Sequence, residues 1–491
     1  MNLGLKTGLL GTAAALALAV AGVPAYAQDD LSALRQQLET MKERLAKLEA
    51  DKADKRRVAA AAAVEAGDKP RSWKLPGTNT SMNIGGFVKM SLLYDLGGTG
   101  LVSGNLPTEG FGAGFSPVGG SVADNTFNGG HFQLTARRSR FWIQTWTPTD
   151  WGELRTYIEG DFAGFGNIPG VAPPGSSGNV LRLRQAFGAL GPVLVGKTQT
   201  LFGGLIGLPE LLHDGAPMAL GALRIEQIRY SHNFGGGLVL HVALESGAVN
   251  IADTGIHDVI GGTCTGSVCA PLAAAAYNSF AGFQGPSRWP DVVAALQWNF
   301  PNGALYGSGM IGQRNVDRAG TVPGLNSNDS AFIWGAALGG RYDFGRVEIG
   351  FNGGVGQGVG NKYFDGGATG FIDAVLITNA TLGSSDLRPV LTYGALGYVQ
   401  VKLTDTIRTT GAFNWVMEEV ASEVPGYYTN PTSRTVLTGV VNYYWAAFGN
   451  ILWNPVPQVT FGAEYGYQFA SRYNGPNTQV HRLQLAAIYR F

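Results

Sequence analysis

Two arginine pairs stand out among the residues that could do chemistry. Arg138 and Arg140 lie two apart, as do Arg182 and Arg184. That spacing puts both members of a pair on one face of a β-strand. Arg138 and Arg140 share their face with Gln144, opposite Phe141 and Ile143, while Arg182 and Arg184 stand opposite Leu181 and Leu183. Arg155 falls with Glu159 and Asp161, opposite Leu154 and Ile158. Lys197, Arg229, Arg408 and Arg482 also fall on polar faces. A guanidinium keeps its charge and grips a carboxylate through two parallel hydrogen bonds. A row of them along one wall draws anions toward it. The same arginines would be structural if they paired with Glu159, Asp161 or main-chain carbonyls. Both readings stay open for Arg155. The two pairs, with few acids beside them in sequence, are read as functional.

Other chemistry finds little support. The sequence has no Gly-x-Ser-x-Gly nucleophile elbow and no His-Glu-x-x-His zinc motif. Gly354-Val355-Gly356-Gln357-Gly358 lacks dinucleotide-binding spacing and a following helix. The six histidines show no ligand spacing, so neither a metal nor a cofactor is expected, and the chain is not read as an enzyme.

The elements that position the arginines follow from composition and pattern. The chain has 491 residues, zero formal net charge and a pI near 7.0. Hydrophobic residues are 45 %, aromatics 11 % and charged residues 14 %, against about 25 % charged in soluble domains. That hydrophobic content excludes disorder. Two cysteines exclude a disulfide-dense scaffold. The absence of basic excess argues against a nucleic-acid binder.

Beyond Met82 no stretch is long and apolar enough for a membrane-spanning helix. Short segments alternate at period two instead. Leu483, Leu485, Ala487, Tyr489 and Phe491 lie on one face, with Arg482, Gln484 and Arg490 on the other. Phe461 to Phe469 and Leu238 to Leu244 alternate likewise. Aromatics near segment ends (Trp142, Trp146, Trp298, Trp415, Tyr489 and Phe491) are expected to face outward as an interfacial girdle. Connections alternate short and long. The short ones are 148–152, 191–192, 233–236, 300–303, 343–345, 403–406 and 454–457. The long ones are 96–130, 164–179, 202–222, 248–287, 315–328, 358–389, 419–432 and 471–477. Seven turns and eight loops join sixteen strands. A sheet spanning a bilayer must close so that every backbone group is paired. The expected fold is therefore an all-β transmembrane barrel of about sixteen antiparallel strands over residues 82–491. Its bore is wide enough for water.

Upstream, Lys6, an apolar run from Leu9 to Val23 and Ala25-Tyr26-Ala27 read as an export signal over 1–27, leaving Gln28 as the mature N-terminus. Leu31, Leu34, Leu38, Met41, Leu45 and Leu48 alternate spacings of three and four. This a/d seam predicts a short coiled coil within a helical, Ala-rich segment over 28–66. It is too short to be firm alone and reads as an oligomerisation zipper, or else as a solitary amphipathic helix. Residues 67–81 read as a linker.

The 82–491 region carries 23 Lys and Arg, 19 of them Arg, against 26 Asp and Glu. Most basic residues fall on strands and most acids in loops. Charge on the lipid face costs several kcal/mol, so the strand arginines are expected to line the bore. The loop from Phe202 to Ala222 holds Leu205, Ile206, Leu208, Leu211 and Leu212 beside Glu210, His213 and Asp214. So many leucines suit a loop folded into the bore, with Glu210 or Asp214 across from the arginines; a loop packed on a neighbouring subunit is the alternative. Cys264 and Cys269 share the fourth long loop, and an exported chain would pair them.

The segments Trp73-Lys74-Leu75-Pro76-Gly77-Thr78-Asn79-Thr80-Ser81, Ile84 to Lys89, Ser139-Arg140-Phe141, Gly152 to Phe162 and Leu181 to Gly188 resemble the DcaP-type porins. Terminal Phe491 is similar to the usual outer-membrane signal for barrel assembly. The resemblance implies a homotrimeric sixteen-stranded porin in a Gram-negative outer membrane, with its coil in the periplasm. It would contact lipid and lipopolysaccharide, be inserted by the barrel-assembly machinery, and pass small anions, typically dicarboxylates. The arginines carried over within matching motifs are Arg140, Arg155, Arg182 and Arg184. A general diffusion porin with little preference is the alternative function, and Trp142, Trp146 and Trp151 depart from the family pattern.

Overall fold

A computed structural model describes residues 27–61, 65–99, 126–127, 130–164, 180–203, 206–213, 220, 223–246, 249–251, 256–257, 283–285, 288–318, 327–365, 371–379, 384–423, 441–473 and 477–491. Residues 1–26, Asp214, Cys264 and Cys269 lie outside them, and with them most of the export signal and the cysteine pairing.

Sixteen antiparallel strands close into one barrel. They are β1 (Ser81–Thr99), β2 (in three pieces, Thr126–Phe127, His131–Thr135 and Arg140–Thr149), β3 (Gly152–Gly164) and β4 (Val180–Leu190). Next come β5 (Val193–Gln199), β6 (Arg224–Gly235), β7 (Leu238–Glu245), β8 (Asp291–Phe300), β9 (Gly303–Arg318) and β10 (Ser327–Asp343). The set ends with β11 (Val347–Gln357), β12 (Leu391–Lys402), β13 (Ile407–Glu418), β14 (Val441–Val456), β15 (Val459–Arg472) and β16 (Thr478–Arg490). Each pairs with its sequence neighbours, and β1 closes on β16 from Phe87↔Arg490 to Thr99↔Gln479. All seven expected short turns are present; those expected at 233–236 and 454–457 come about two residues later, at 236–237 and 457–458. The β6–β7 turn shows why glycine is needed: Gly235, Gly236 and Gly237 all have φ between 60° and 83°, a region closed to most side chains.

The outward face is apolar. Ile143, Ile158, Leu181, Leu183, Ile228, Leu296, Leu338, Ile451 and Leu485 are exposed there. Aromatic contacts gather at both ends. Trp298–Phe300–Tyr342–Phe344 and Trp453–Phe461–Tyr489 run along the turn end. Tyr393–Trp415, Phe413–Trp445 and Tyr443–Phe469 lie toward the loop end. Such belts suit rings that sit at headgroup level. Trp142 and Trp146 are a correction to the expected girdle. Register pairs them with Glu159 and Arg155, so they share the inward face. The Trp142 indole lies across Gly85, where a Cβ would meet its ring at 2.6 Å.

The N-terminal part has two pieces. A helix, α1, spans Ala27–Ala61; Leu38, Met41, Leu45 and Leu48 of the proposed seam are each more than half exposed on it. The expected linker is partly ordered. Trp73–Lys74 pairs with Met82 and Ser81 of β1, beyond the point where Phe491 and Gly86 exchange the last β16 hydrogen bonds. Lys69 bridges to Glu153 at 2.7 Å. The stub thus covers backbone that would otherwise be an open edge.

The bore is not uniformly wet. Phe202 and Leu220, from the β5–β6 loop, pack with Val359, Phe364 and Phe371, from the β11–β12 loop, onto inward-facing Val293, Met310, Ile333 and Leu396. Each fully buried Phe or Leu contributes about 1.5–3 kcal/mol. Two loops therefore occupy the β7–β12 side of the interior. Small inner-wall residues make room for them: Cβ atoms at Gly335, Gly339 and Gly354 would meet Phe202, Ile206 and Leu220. Gly207, at φ 80°, lies so close to the Phe351 carbonyl that a Cβ would sit 1.9 Å from it.

Candidate functional site: the charged inner wall and the loop across the bore

Four strands build the charged wall in layers set by register. From the loop end these are Phe87–Arg140–Asp161–Arg182, then Gly85–Trp142–Glu159–Gln185, then Asn83–Gln144–Tyr157–Phe187, then Ser81–Trp146–Arg155–Ala189. A bulge in the β3–β4 pairing between Glu159 and Gly160 inserts one extra residue in β4. Arg184 and its neighbour Gln185 therefore both reach Glu159.

The arginines are tied to acids on β3. Arg182 donates to Asp161 through Nε at 2.9 Å and Nη2 at 2.6 Å. Arg184, its side chain only 4 % exposed, donates from Nε to Glu159 at 2.7 Å and from Nη1 to Asp161 at 2.6 Å. Arg140 lies 3.6 Å from Glu159 and over the Phe87 ring. The Tyr157 hydroxyl donates to Glu159 at 2.8 Å. The acids that seemed scarce in sequence come from the strand between the two arginine pairs. Arg155 differs. It is exposed and stacks near Tyr157 and Phe187. With the Gln144 amide oxygen turned toward it, its Nη2 donates at 2.8 Å. Four guanidiniums (140, 155, 182, 184) thus face two carboxylates (159, 161), a local net charge of 4 − 2 = +2; a third acid on this face of β3, Glu153, is neutralised by Lys69.

The remaining expected lining residues divide. Arg229 is on the inner face of β6, donating from Nε to Gln227 at 2.8 Å and from Nη2 to the Gln199 carbonyl at 2.5 Å. Arg138 lies in the turn that breaks β2, not on a strand. Lys197 is a correction. It pairs in register with Glu226, bridged at 2.7 Å, on the face that carries exposed Val193, Val195 and Ile228. That is the outer surface of the barrel, because Lys197 keeps the period of those valines.

The β5–β6 loop crosses to the far wall. Asn352 on β11 donates to the Gly203 and Ile206 carbonyls, both at 3.1 Å. Glu464 on β15 accepts the N–H groups of Leu212 and His213, each at 2.7 Å. Lys89 Nζ donates to the Leu212 carbonyl at 2.8 Å, and Asn450 to that of Glu210 at 2.8 Å. His213 is buried against Phe448, ring centroids 5.0 Å apart, beside Gln468. The loop therefore folds inward, as its leucines implied. Glu210 is held by Arg408 on β13 and not by the arginines of β2–β4, while Asp214, the other acid expected there, lies outside the described residues. Burial alone would raise the Glu210 carboxyl, but the hydrogen bonds and charge of Arg408, with Gln400 and the field of Arg490, hold it below the usual carboxylate range.

A second buried network, unforeseen in sequence, fixes the other loop. Arg314 donates to Asp291 at 3.0 Å and lies 3.8 Å from Asp373, all three fully buried. Lys362 and Tyr363, in a π-helical turn over Gly360–Asp365, reach Asp291 at 2.8 and 2.9 Å. Glu245 accepts from Tyr363 at 3.3 Å and from Thr200 and the Leu201 N–H at 2.7 Å. Burial pushes the Asp373 carboxyl up to about 6 even with Arg314 beside it. This network joins the roots of both inward loops.

A closed sixteen-stranded barrel, apolar outside and carrying a charged inner wall crossed by an inward loop, defines an outer-membrane channel of the porin class. A family model described as a porin subfamily matches residues 73–484, and the chain belongs to that family. Its fold is similar to that of the outer membrane channel DcaP of Acinetobacter baumannii, with a TM-score of 0.60 at 17 % identity over 87 % of this chain and all of that one. OmpT of Vibrio cholerae (TM-score 0.45, 10 % identity, 85 % and 99 % covered) and an anion-selective porin from Comamonas acidovorans (0.43, 9 %, 84 % and 100 %) are more distant. No curated protein matches by sequence. Family and fold point to a diffusion channel, not an enzyme.

Proposed function

We propose that this porin passes small anionic solutes, dicarboxylates foremost, down their gradients. The observation that carries the reading is the inner wall of β2–β4, with its four guanidiniums against two carboxylates. In a narrow, low-dielectric passage such an excess concentrates anions. Arg140, Arg155, Arg182 and Arg229 are the groups assigned to touch solute. Arg184 is too buried for that and acts by holding Glu159 and Asp161. The loop carrying Glu210, His213 and Asp214 is the constriction. The copies assemble as trimers, helped by the apolar seam on α1, after removal of residues 1–27 and insertion guided by Phe491.

Reversal potentials in a KCl gradient across a planar bilayer test the charge preference. Anion preference is expected, and cation preference would refute it. The salt bridges along the wall favour the second reading, a general diffusion porin. Liposome swelling separates the two: a dicarboxylate entering no faster than a neutral sugar of similar size supports unselective diffusion.

The constriction makes its own prediction. Glu464→Ala removes a charged acceptor from two backbone N–H donors, about 1.5–3 kcal/mol each. The loop tip should detach, and single-channel conductance should rise with added open-channel noise. Unchanged conductance would place the hold on the loop elsewhere.

A further inference from the structure

Arg408 is buried enough to need a partner and open enough to exchange one. Its side chain is 20 % exposed, and that of Glu210 is 43 %. The two meet fork to fork. Arg408 Nε donates to Glu210 Oε2 at 2.6 Å, while Nη2 donates to Oε1 and Nη1 to Asn454. Gln400 adds a third donor to Oε2 at 3.2 Å. Arg490, anchored on Thr460 at 2.6 Å, adds positive field. Every feature of this cradle is what a free carboxylate would seek, and the chain's own Glu210 sits in it.

We propose that the Arg408 cradle, built with Gln400, is a carboxylate-binding station on β13, and that Glu210 is its resident competitor. The proposal rests on the anion reading above and adds a second site to it, on β13, five strands from β2 around the barrel. An incoming carboxylate replaces Glu210 on the same two donors. No bond breaks other than hydrogen bonds, and Arg408 is paired before and after. Stripping an arginine of its carboxylate partner is costly, whereas exchanging one carboxylate for another keeps the guanidinium paired. The Glu210 main chain stays tethered by Asn450, so its side chain remains beside the cradle at high effective concentration. It returns when the solute dissociates and keeps the solute's stay short. A channel needs such weak, reversible sites, since a tight one would stop flux.

The test uses the full-length porin in planar bilayers, with succinate added as probe and its interruptions of the KCl current timed. In the native channel the interruptions should be brief. Glu210→Gln should lengthen succinate residence by about tenfold or more, because the tethered competitor is gone. Arg408→Gln in that background should abolish the gain. Glu348→Gln is the control for charge alone: it adds the same unit to the wall nearby, where Glu348 meets Arg341 and Tyr398. It should leave residence near the native value. Heat-modifiable gel migration of each variant verifies the folded barrel. Unchanged residence in Glu210→Gln, an equal gain in Glu348→Gln, or a gain that survives loss of Arg408 would each overturn the cradle. If the native channel prefers anions while Glu210→Gln changes nothing, the cradle alone fails. If the native channel prefers cations, the functional reading beneath it fails.

Discussion

A channel carrying Arg140→Gln, Arg155→Gln and Arg182→Gln together should lose its anion preference, and its reversal potential in a KCl gradient should move to or past zero. The wall then holds one guanidinium, Arg184, against Glu159 and Asp161, a net of 1 − 2 = −1 in place of +2. A unit charge about 8 Å from a passing ion acts with about 0.5 kcal/mol at the dielectric constant of water. Removing three therefore weakens anion attraction by about 1.5 kcal/mol and relieves cation repulsion by as much. Screening at 0.1 M salt roughly halves this, which leaves a change of about tenfold in the anion-to-cation permeability ratio. Arg184 stays because both acids rely on it. The choice of residues differs from the one sequence alone suggests, which would mutate both pairs entire. An unaltered permeability ratio would show that the wall is structural and that selectivity arises elsewhere, Arg408 being the first place to look.

The largest stability effect is expected at Arg314. Arg314→Met leaves Asp291 and Asp373 buried without their guanidinium, and breaking a buried pair in this way costs about 3–5 kcal/mol. The loss is not local. Asp291 also holds Lys362 and Tyr363, and Glu245 links Tyr363 to Thr200 and Leu201 at the root of the constriction loop. The variant should lose heat-modifiable migration at a clearly lower temperature and show a noisier open channel. A second variant separates unpaired charge from lost packing. Arg314→Met with Asp373→Asn neutralises one stranded carboxylate, keeps an acceptor for the Asn361 and Lys362 N–H groups and leaves Asp291 to Lys362, and it should recover part of the loss. Equal destabilisation in both variants would mean that packing, not charge pairing, holds the loops.

Sequence alone settled the barrel. Alternation is local: Leu483, Leu485, Ala487 and Tyr489 declare their face without reference to any other strand, and seven turns and eight loops then fix sixteen strands. It also found the leucine-rich loop, because clustered leucines cannot stay in water, and the polar face of Arg408. It could not say who meets whom. Whether Arg182 and Arg184 are free or paired depends on β3 lying between β4 and β2 in a given register, and on the extra residue beside Glu159. Lys197 was misplaced because a charge was assumed to face the bore, whereas its strand keeps the period of Val193 and Val195 and its partner, Glu226, is on the next strand. Trp142 and Trp146 were assigned outward as aromatics of an interfacial girdle near strand ends, while the glycine at 85 that lets an indole lie on the inner wall is 57 residues away. Glu210 and Arg408 are 198 residues apart, and Glu464 is 252 from Leu212. Periodicity is set by neighbours along the chain and is therefore written there. Charge pairing across a bore is set by closure of the sheet, which brings distant strands face to face.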